Sequence, residues 1–429
     1  MRVLFLTHRL PYAPNRGDRI RAFHMLQALQ KYAEVTVASL VHDDEEALQS
    51  ARLAGMTAEV ITARVPRLSN LGRGALKLLT KQPLTLELLH APVLKQLLQR
   101  SIARVKPDVV MAYCSSMARV AMEPPLTGTP FVLDMVDVDS AKWRALSQHA
   151  AWPKRAIYSR EAICLEEFER MAIRAAATTL VVNEREAAIV RTLVPDAAVT
   201  VIENGIDLAA FKPPGDPSNG TQVTFCGVLD YEPNEAAALR LARNIWPRVR
   251  RHRPDATLLL LGSRPTRAIR ALPETDGSIR VTGAVPDVKP FLWTSAVAAV
   301  PLRTARGVQN KVLEALAAGL PAVVSPVVAE GLPEAALKGC IVAGDDDEFA
   351  RCIVDQLEAG PAARRQRAEQ ASLDRLTWSQ QLGRLSAVLE KAGRSGAAPH
   401  HDALDRARRN DLPAVAHGEP SGSRARLTS

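Results

Sequence analysis

The stretch that most constrains the fold runs from Arg303 to Pro326. An apolar run, Ala296 to Leu302, precedes it and reads as a buried strand. A loop containing Gly307 follows, then a helix whose apolar positions (Val312, Leu313, Leu316, Ala317) recur at helical spacing. Gly319 and Pro321 end that helix, and Ala322-Val-Val-Ser325 begins the next strand. A strand, a short polar loop and a helix N-terminus form a place to hold an anion, because unpaired amide groups and the helix dipole both face the ligand. Lys311 and Glu314 stand three residues apart and share a helix face. One suits a phosphate, and the other can accept hydrogen bonds from a pair of sugar hydroxyls.

The same strand–loop–helix rhythm runs through the chain. Arg2–Leu6 is a short apolar run, followed by a loop from Thr7 to Asp18 that carries Pro11, Pro14 and Gly17. A helix (Arg19 to Lys31) and a strand (Glu34 to Ser39) complete a βαβ opening. Ligands collect at the carboxyl ends of such strands. Gly17 would let the backbone approach one closely, with Arg16, Arg19 and Arg21 beside it. Further strands are expected at 59–61, 109–112, 131–134, 178–182 and 199–202, and long helical stretches at 71–105, with breaks at Pro83 and Pro92, and at 152–177. The segment Asp134-Met-Val-Asp137-Val-Asp139-Ser140 leaves a strand directly. Its carboxylates read as ligands for donor or acceptor hydroxyls or, equally, as a turn with Asp139 or Ser140 capping a helix. Three acids so close would also suit a metal, but no partner ligands accompany them.

Lys212 to Gly220 is a Pro/Gly-rich linker, after which the pattern restarts. Strands are expected at 221–227, 256–262, 279–282 and 297–300, with a helix at 235–251. Helices then follow to about 357, at 362–375 and at 378–391. With 429 residues, 47% of them hydrophobic, there is material for two ordinary domains. The expected architecture is α/β: two doubly wound domains, 1–211 and 221–375, facing a cleft. A helix at 376–393 follows, then a disordered tail from 394 to 429 that lacks periodicity. His400 and His401 in that tail are not read as a metal site.

Composition narrows the partners. The net charge of +9 favours an anionic substrate or an acidic membrane surface. The leucine-rich, basic stretch 71–105 (Lys77, Lys81, Lys95, Arg100, Arg104) would suit peripheral contact with the cytoplasmic membrane face, although such a face is more often core on one side and solvated charge on the other. Aromatic residues make up only 4%, and no basic stripe is interleaved with stacking rings, so nucleic acid is not an expected partner. Five scattered cysteines without CxxC spacing point to a reducing compartment rather than to disulfides or zinc. No signal peptide and no spanning helix are expected.

Taken in order, the motifs resemble the family 4 glycosyltransferases. Glu203-Asn-Gly-Ile-Asp207 is similar to the family's P-N-G-V-D, and Phe225-Cys-Gly227 to its V-G. Leu260-Leu-Gly262 and Glu314 to Val324 also fit. Gly17-Asp-Arg-Ile-Arg, Asp137-Val-Asp-Ser-Ala-Lys-Trp143 and Ala305 to Glu314 are similar to a narrower group that accompanies exosortase/PEP-CTERM and exopolysaccharide clusters. The resemblance covers almost the whole chain up to about Leu389. It implies a GT-B fold whose last helix crosses back to the N-terminal domain. It also implies transfer of a sugar, with retention, from a nucleotide-diphosphate sugar to a glycan or lipid-linked acceptor.

By that resemblance Glu314 binds the nucleotide ribose. The family's first glutamate, eight residues earlier, is replaced by Arg306, and Val228 stands where a phosphate-binding arginine is expected. Arg306 and Lys311 would then jointly neutralise the leaving diphosphate, with no cofactor or metal required. Lys311, Arg306 and Asp137 are the catalytic candidates. Glu314, Gly307, Asn310, Gly227, Gly17 and Arg19 are the binding candidates. An inactive GT-B scaffold subunit and a nucleotide-sugar epimerase are the alternatives. A dinucleotide-dependent dehydrogenase is disfavoured because no G-x-G-x-x-G follows the first strand.

Overall fold

The computed structural model describes residues 1–14, 17–216, 218–305 and 307–394, without the side chains of Gly17, Asp18 and His149. The tail expected from residue 394 therefore falls, apart from Arg394, outside the described residues, as does Arg306.

Seven strands form the first sheet: β1 (Arg2–Thr7), β2 (Glu34–Val41), β3 (Glu59–Arg64), β4 (Val109–Tyr113), β5 (Phe131–Val136), β6 (Thr178–Val181) and β7 (Val199–Val201). They lie in the order β3-β2-β1-β4-β5-β6-β7, and every pairing is parallel. Six more form the second: β8 (Gln222–Cys226), β9 (Thr257–Leu261), β10 (Ile279–Val281), β11 (Val297–Val300), β12 (Ala322–Val324) and β13 (Cys340–Val342). Their order is β10-β9-β8-β11-β12-β13, again all parallel. Strand order reverses beside β1 in one domain and beside β8 in the other, which puts a crevice at the carboxyl ends of these strands.

Strand periodicity divides the N-terminal core into two faces. Val3 and Phe5 of β1, with Val109 and Met111 of β4, point to one side, and Leu4, Leu6, Val110 and Ala112 point to the other. The first of these clusters also contains Trp378, Leu382, Leu385 and Leu389, so the end of the chain completes the core of the N-terminal domain. Two crossings join the domains side by side: the Ile206 amide donates to the Leu376 carbonyl at 2.7 Å, and the Trp378 ring stacks on His24 at 4.5 Å.

The breaks expected at Pro83 and Pro92 divide the first helical stretch into three helices, Arg67–Lys77, Leu84–Leu88 and Pro92–Val105, because a proline cannot continue a helix. Two other local expectations need correction. A separate helix, Asp139–His149, precedes Lys154–Ala175. Neither Asp139 nor Ser140 caps it. Two glutamates from other helices do so: Glu186 accepts from the Val138 amide at 2.9 Å, and Glu169 from the Ser140 amide at 3.1 Å. Among the described residues, no helix is long and apolar enough to cross a membrane.

Candidate active site

The helix Asn310–Ala317 follows β11 and carries both charged candidates into the crevice. Val312, Leu313, Ala315 and Leu316 are buried against the second sheet, which leaves Lys311 and Glu314 half-buried on the opposite side. The Lys311 ammonium donates to Asn234 Oδ1 at 2.6 Å and sits 4.8 Å from the Phe225 ring centroid. Asn234 is itself oriented by donating from Nδ2 to the Val228 carbonyl at 3.0 Å. Gly227 allows this: a Cβ there would lie 2.9 Å from Asn234 Nδ2 and 3.1 Å from Lys311 Nζ.

Dense packing disfavours charge on both groups of the helix. Desolvation lowers the Lys311 pKa to about 8, against the opposing pull of Cys226 and Glu314. Desolvation raises that of Glu314 to about 7, only partly offset by Lys311. Among the described residues the Glu314 carboxylate makes no hydrogen bond, so both oxygens are available to a ligand. An arriving diphosphate would restore the Lys311 charge, and vicinal hydroxyls would suit Glu314.

The facing wall comes from the N-terminal domain. β5 ends at Asp134, whose Oδ2 accepts from buried Arg21 Nε at 2.8 Å and whose Oδ1 accepts from the Val136 amide at 2.9 Å. That second bond holds Val136 at φ +64, a strained conformation for a β-branched residue. The resulting sharp turn presents Asp137 to the crevice. Gly307 (φ +60) covers it from the other domain, and a Cβ there would lie 2.9 Å from Asp137 Oδ1. Desolvation raises the Asp137 pKa to about 7; Lys142 opposes this, while Glu186 and Asp139 add to it.

Asn310 meets the N-terminal domain. Its Oδ1 accepts from Asn204 Nδ2 at 2.9 Å, and Asn204 Oδ1 accepts from Arg21 at 3.0 Å. A polar chain thus runs from Asp134 through Arg21 and Asn204 to the first turn of the C-terminal domain's helix. Arg19 is buried in an ion pair with Glu46, which also receives Arg9. Gly17 starts the helix Gly17–Leu29. The structure therefore brings Lys311, Glu314 and Gly227 together, sets Asp137 and Gly307 against each other across the domains, and places Asn310 and Arg19 in structural contacts.

Sequence reasoning did not single out Lys142 or Asn234. Lys142 lies one turn after Asp139, with its ammonium 4.0 Å from that carboxylate and 5.9 Å from the Tyr231 ring centroid. Burial works against its charge, but Tyr231, Asp139 and Asp137 outweigh it and raise its pKa. Lys142 and Lys311 thus approach the single segment Gly227–Asn234 from different domains. The Asp139-x-x-Lys142 spacing was legible in the sequence; its proximity to Tyr231 was not.

Residues 16–205 match the family described as "Glycosyl transferase 4-like domain", and residues 220–359 match "Glycosyl transferases group 1". No curated protein sequence matches the chain. Among solved structures, sucrose-phosphate synthase from Thermosynechococcus elongatus is similar, with TM-score 0.62 and 15% identity over 96% of this chain and 99% of that one. Anabaena HepE in complex with UDP-glucose gives TM-score 0.62 and 14% identity, over 91% and 100% of the two chains. WaaG, a glycosyltransferase involved in lipopolysaccharide biosynthesis, gives TM-score 0.55 and 16% identity, over 92% and 98%. At these identities the likeness is one of fold, and that fold is GT-B.

Proposed function

As a glycosyltransferase of GT-B fold, this chain, we propose, moves a sugar with retention from a nucleotide-diphosphate sugar to a hydroxyl of a glycan or lipid-linked acceptor. The observation that carries the reading is the half-buried Lys311–Glu314 pair, with Lys311 on Asn234 and Lys142 of the other domain near Tyr231 of the same segment. The UDP-glucose complex of HepE supports a nucleotide-sugar donor. The narrower motif group supports a place in exopolysaccharide or cell-surface glycan synthesis.

Glu314 would take the ribose hydroxyls, and Lys311 the diphosphate. In the transfer step the bond between the anomeric carbon and the diphosphate oxygen breaks, and its electron pair leaves on that oxygen. The acceptor oxygen forms the new bond on the same face, and its proton passes to the departing diphosphate. The side chains have to stabilise developing negative charge, which two lysines over one loop segment can do. Arg306 would add to them from the loop before Gly307. With these cations in place no metal is required, so activity should survive EDTA. Asp137, with its raised pKa and its position on the acceptor side, would orient the acceptor hydroxyl. Closure of the crevice would exclude water, which would otherwise compete as the acceptor.

A thermal-shift screen against GDP-, UDP- and dTDP-sugars tests the donor, because a ligand that binds the folded state raises its stability. One nucleotide class should stabilise the wild type and fail to stabilise Glu314→Gln. Stabilisation by none of the three would remove the basis of the reading. Product analysis with an acceptor present then reports anomeric configuration, and inversion would refute the retaining step.

A further inference from the structure

The helix Arg67–Lys77 lies the wrong way round for a water-soluble surface. An amphipathic helix on a globular domain turns its apolar stripe inward. Here the inward residues are Asn70, only 1% exposed, and Gly74. Asn70 donates to the carbonyls of Leu88 at 3.0 Å and His90 at 2.8 Å, so the buried side is held by hydrogen bonds. The leucines face outward: Leu68 is 87% exposed, Leu71 60%, Leu76 79% and Leu79, just beyond the helix, 98%. Leu68, Leu71 and Leu76 lie on the outer side of the helix, and Leu79 follows in the turn after it, so the four form one exposed stripe.

The stripe is held in place. Arg160 donates to the carbonyls of Lys77 at 2.8 Å, Leu78 at 2.9 Å and Gln82 at 2.9 Å, and also to that of Thr80. Buried Glu161 accepts from the amides of Leu84 and Thr85, both at 2.8 Å. A backbone secured at so many points presents its leucines to the outside. The helix that supplies Arg160 begins just after Trp152, which is 85% exposed, and carries Ile163, 67% exposed.

The charge along this segment is of one sign. From Val60 to Leu86 there is no acidic residue, and Arg67, Arg73 and Lys81 are exposed along it. Farther along, Lys95 and Arg104 are paired with Glu123 and Glu59, whereas no ion pair is formed by Arg73 or Lys81 among the described residues. We propose that this face docks on an anionic lipid bilayer, with the leucines entering the headgroup–acyl boundary and the cations meeting lipid phosphates. A second copy of the chain would set cation against cation across the leucines, which disfavours self-association.

Vesicle co-sedimentation of the full chain tests this without reference to the glycosyl-transfer chemistry. Binding to phosphatidylglycerol vesicles should exceed binding to phosphatidylcholine vesicles and fall with added salt. Leu68→Ser with Leu79→Ser should weaken it about tenfold or more. Arg73→Gln and Lys81→Gln should each weaken it about fivefold. Thermal unfolding of these surface variants should match that of the wild type. Equal sedimentation with both vesicle types, or variants that bind as the wild type does, would overturn the proposal. So would a wild-type dimer that the leucine substitutions convert to monomer.

Discussion

The two domains share one architecture and hold it together differently. Among the described residues the N-terminal domain buries eight charged side chains, including Arg21, Glu46, Asp134 and Glu186, whereas beyond the linker only Arg364 is so buried. In the N-terminal domain those charges cap helices, fix a strained turn and bridge through Asn204 to the other domain. The C-terminal domain instead seats Lys311 and Glu314 by apolar packing and a glycine, with a neutral partner, Asn234, on the Lys311 ammonium. One domain spends its charge internally as framework, and the other holds it ready for a ligand.

The sharpest way to break that contrast is to remove a charge from each side. Arg21→Met leaves the buried Asp134 carboxylate unpaired and should destabilise the protein by about 3–5 kcal/mol, seen as a lower midpoint in urea unfolding. Lys311→Met should leave that midpoint unchanged or slightly raised, because burial already disfavours the ammonium. Its cost should fall on turnover, about 100-fold or more in kcat/KM, on the scale of losing one stabiliser of developing charge. If Lys311→Met unfolded the protein while Arg21→Met did not, the contrast would be reversed.

Gly307→Ala probes the contact between the domains. A side chain would have to fit both a left-handed backbone and the Asp137 carboxylate, at a cost of about 1–3 kcal/mol. A raised donor KM with little change in the unfolding midpoint would locate that cost in closure of the crevice. Asn310→Ala removes one neutral hydrogen bond between the domains and should cost about 1 kcal/mol, read as a small loss in kcat/KM.

A change of pH acts on both walls of the crevice at once. Asp137 and Glu314 have folded-state pKa values raised to about 7, so between their ordinary carboxylate range and pH 7 the folded state binds more protons than the unfolded state. Their contribution to stability is therefore full at low pH and is lost as pH rises to about 7. Lys311 is lowered to about 8, so stability recovers above that value, as the unfolded lysine is still protonated where the folded one is not. Glu314→Gln should flatten the decline in melting temperature between pH 5 and 7. A decline that persists unchanged in both Glu314→Gln and Asp137→Asn would show that other groups cause it. Donor affinity should weaken above about pH 8, as Lys311 loses its charge.

Much of the fold was legible because strand and helix periodicities are local. The alternation in β1 and the stop at Gly319 and Pro321 need no distant partner to be read. The helix carrying Lys311 and Glu314 was legible for the same reason, since their shared face follows from a spacing of three. The breaks in 71–105 were legible too, because Pro83 and Pro92 cannot continue a helix, though not the geometry of the turns between the helices. The cap of the helix Asp139–His149 was invisible, because Glu169 and Glu186 are supplied from other helices.

By itself, then, the sequence determined two parallel α/β domains and a Lys311–Glu314 face at a helix start, since both depend on neighbours in the chain. Only tertiary structure decided what those groups meet. It set Asn234 and Phe225 on Lys311, placed Gly307 against Asp137, brought Lys142 to Tyr231 from the opposite domain, and turned the leucines of 68–79 outward. The reason is physical: burial, pairing and exposure are properties of residues far apart in the chain, and a short sequence window carries no record of them.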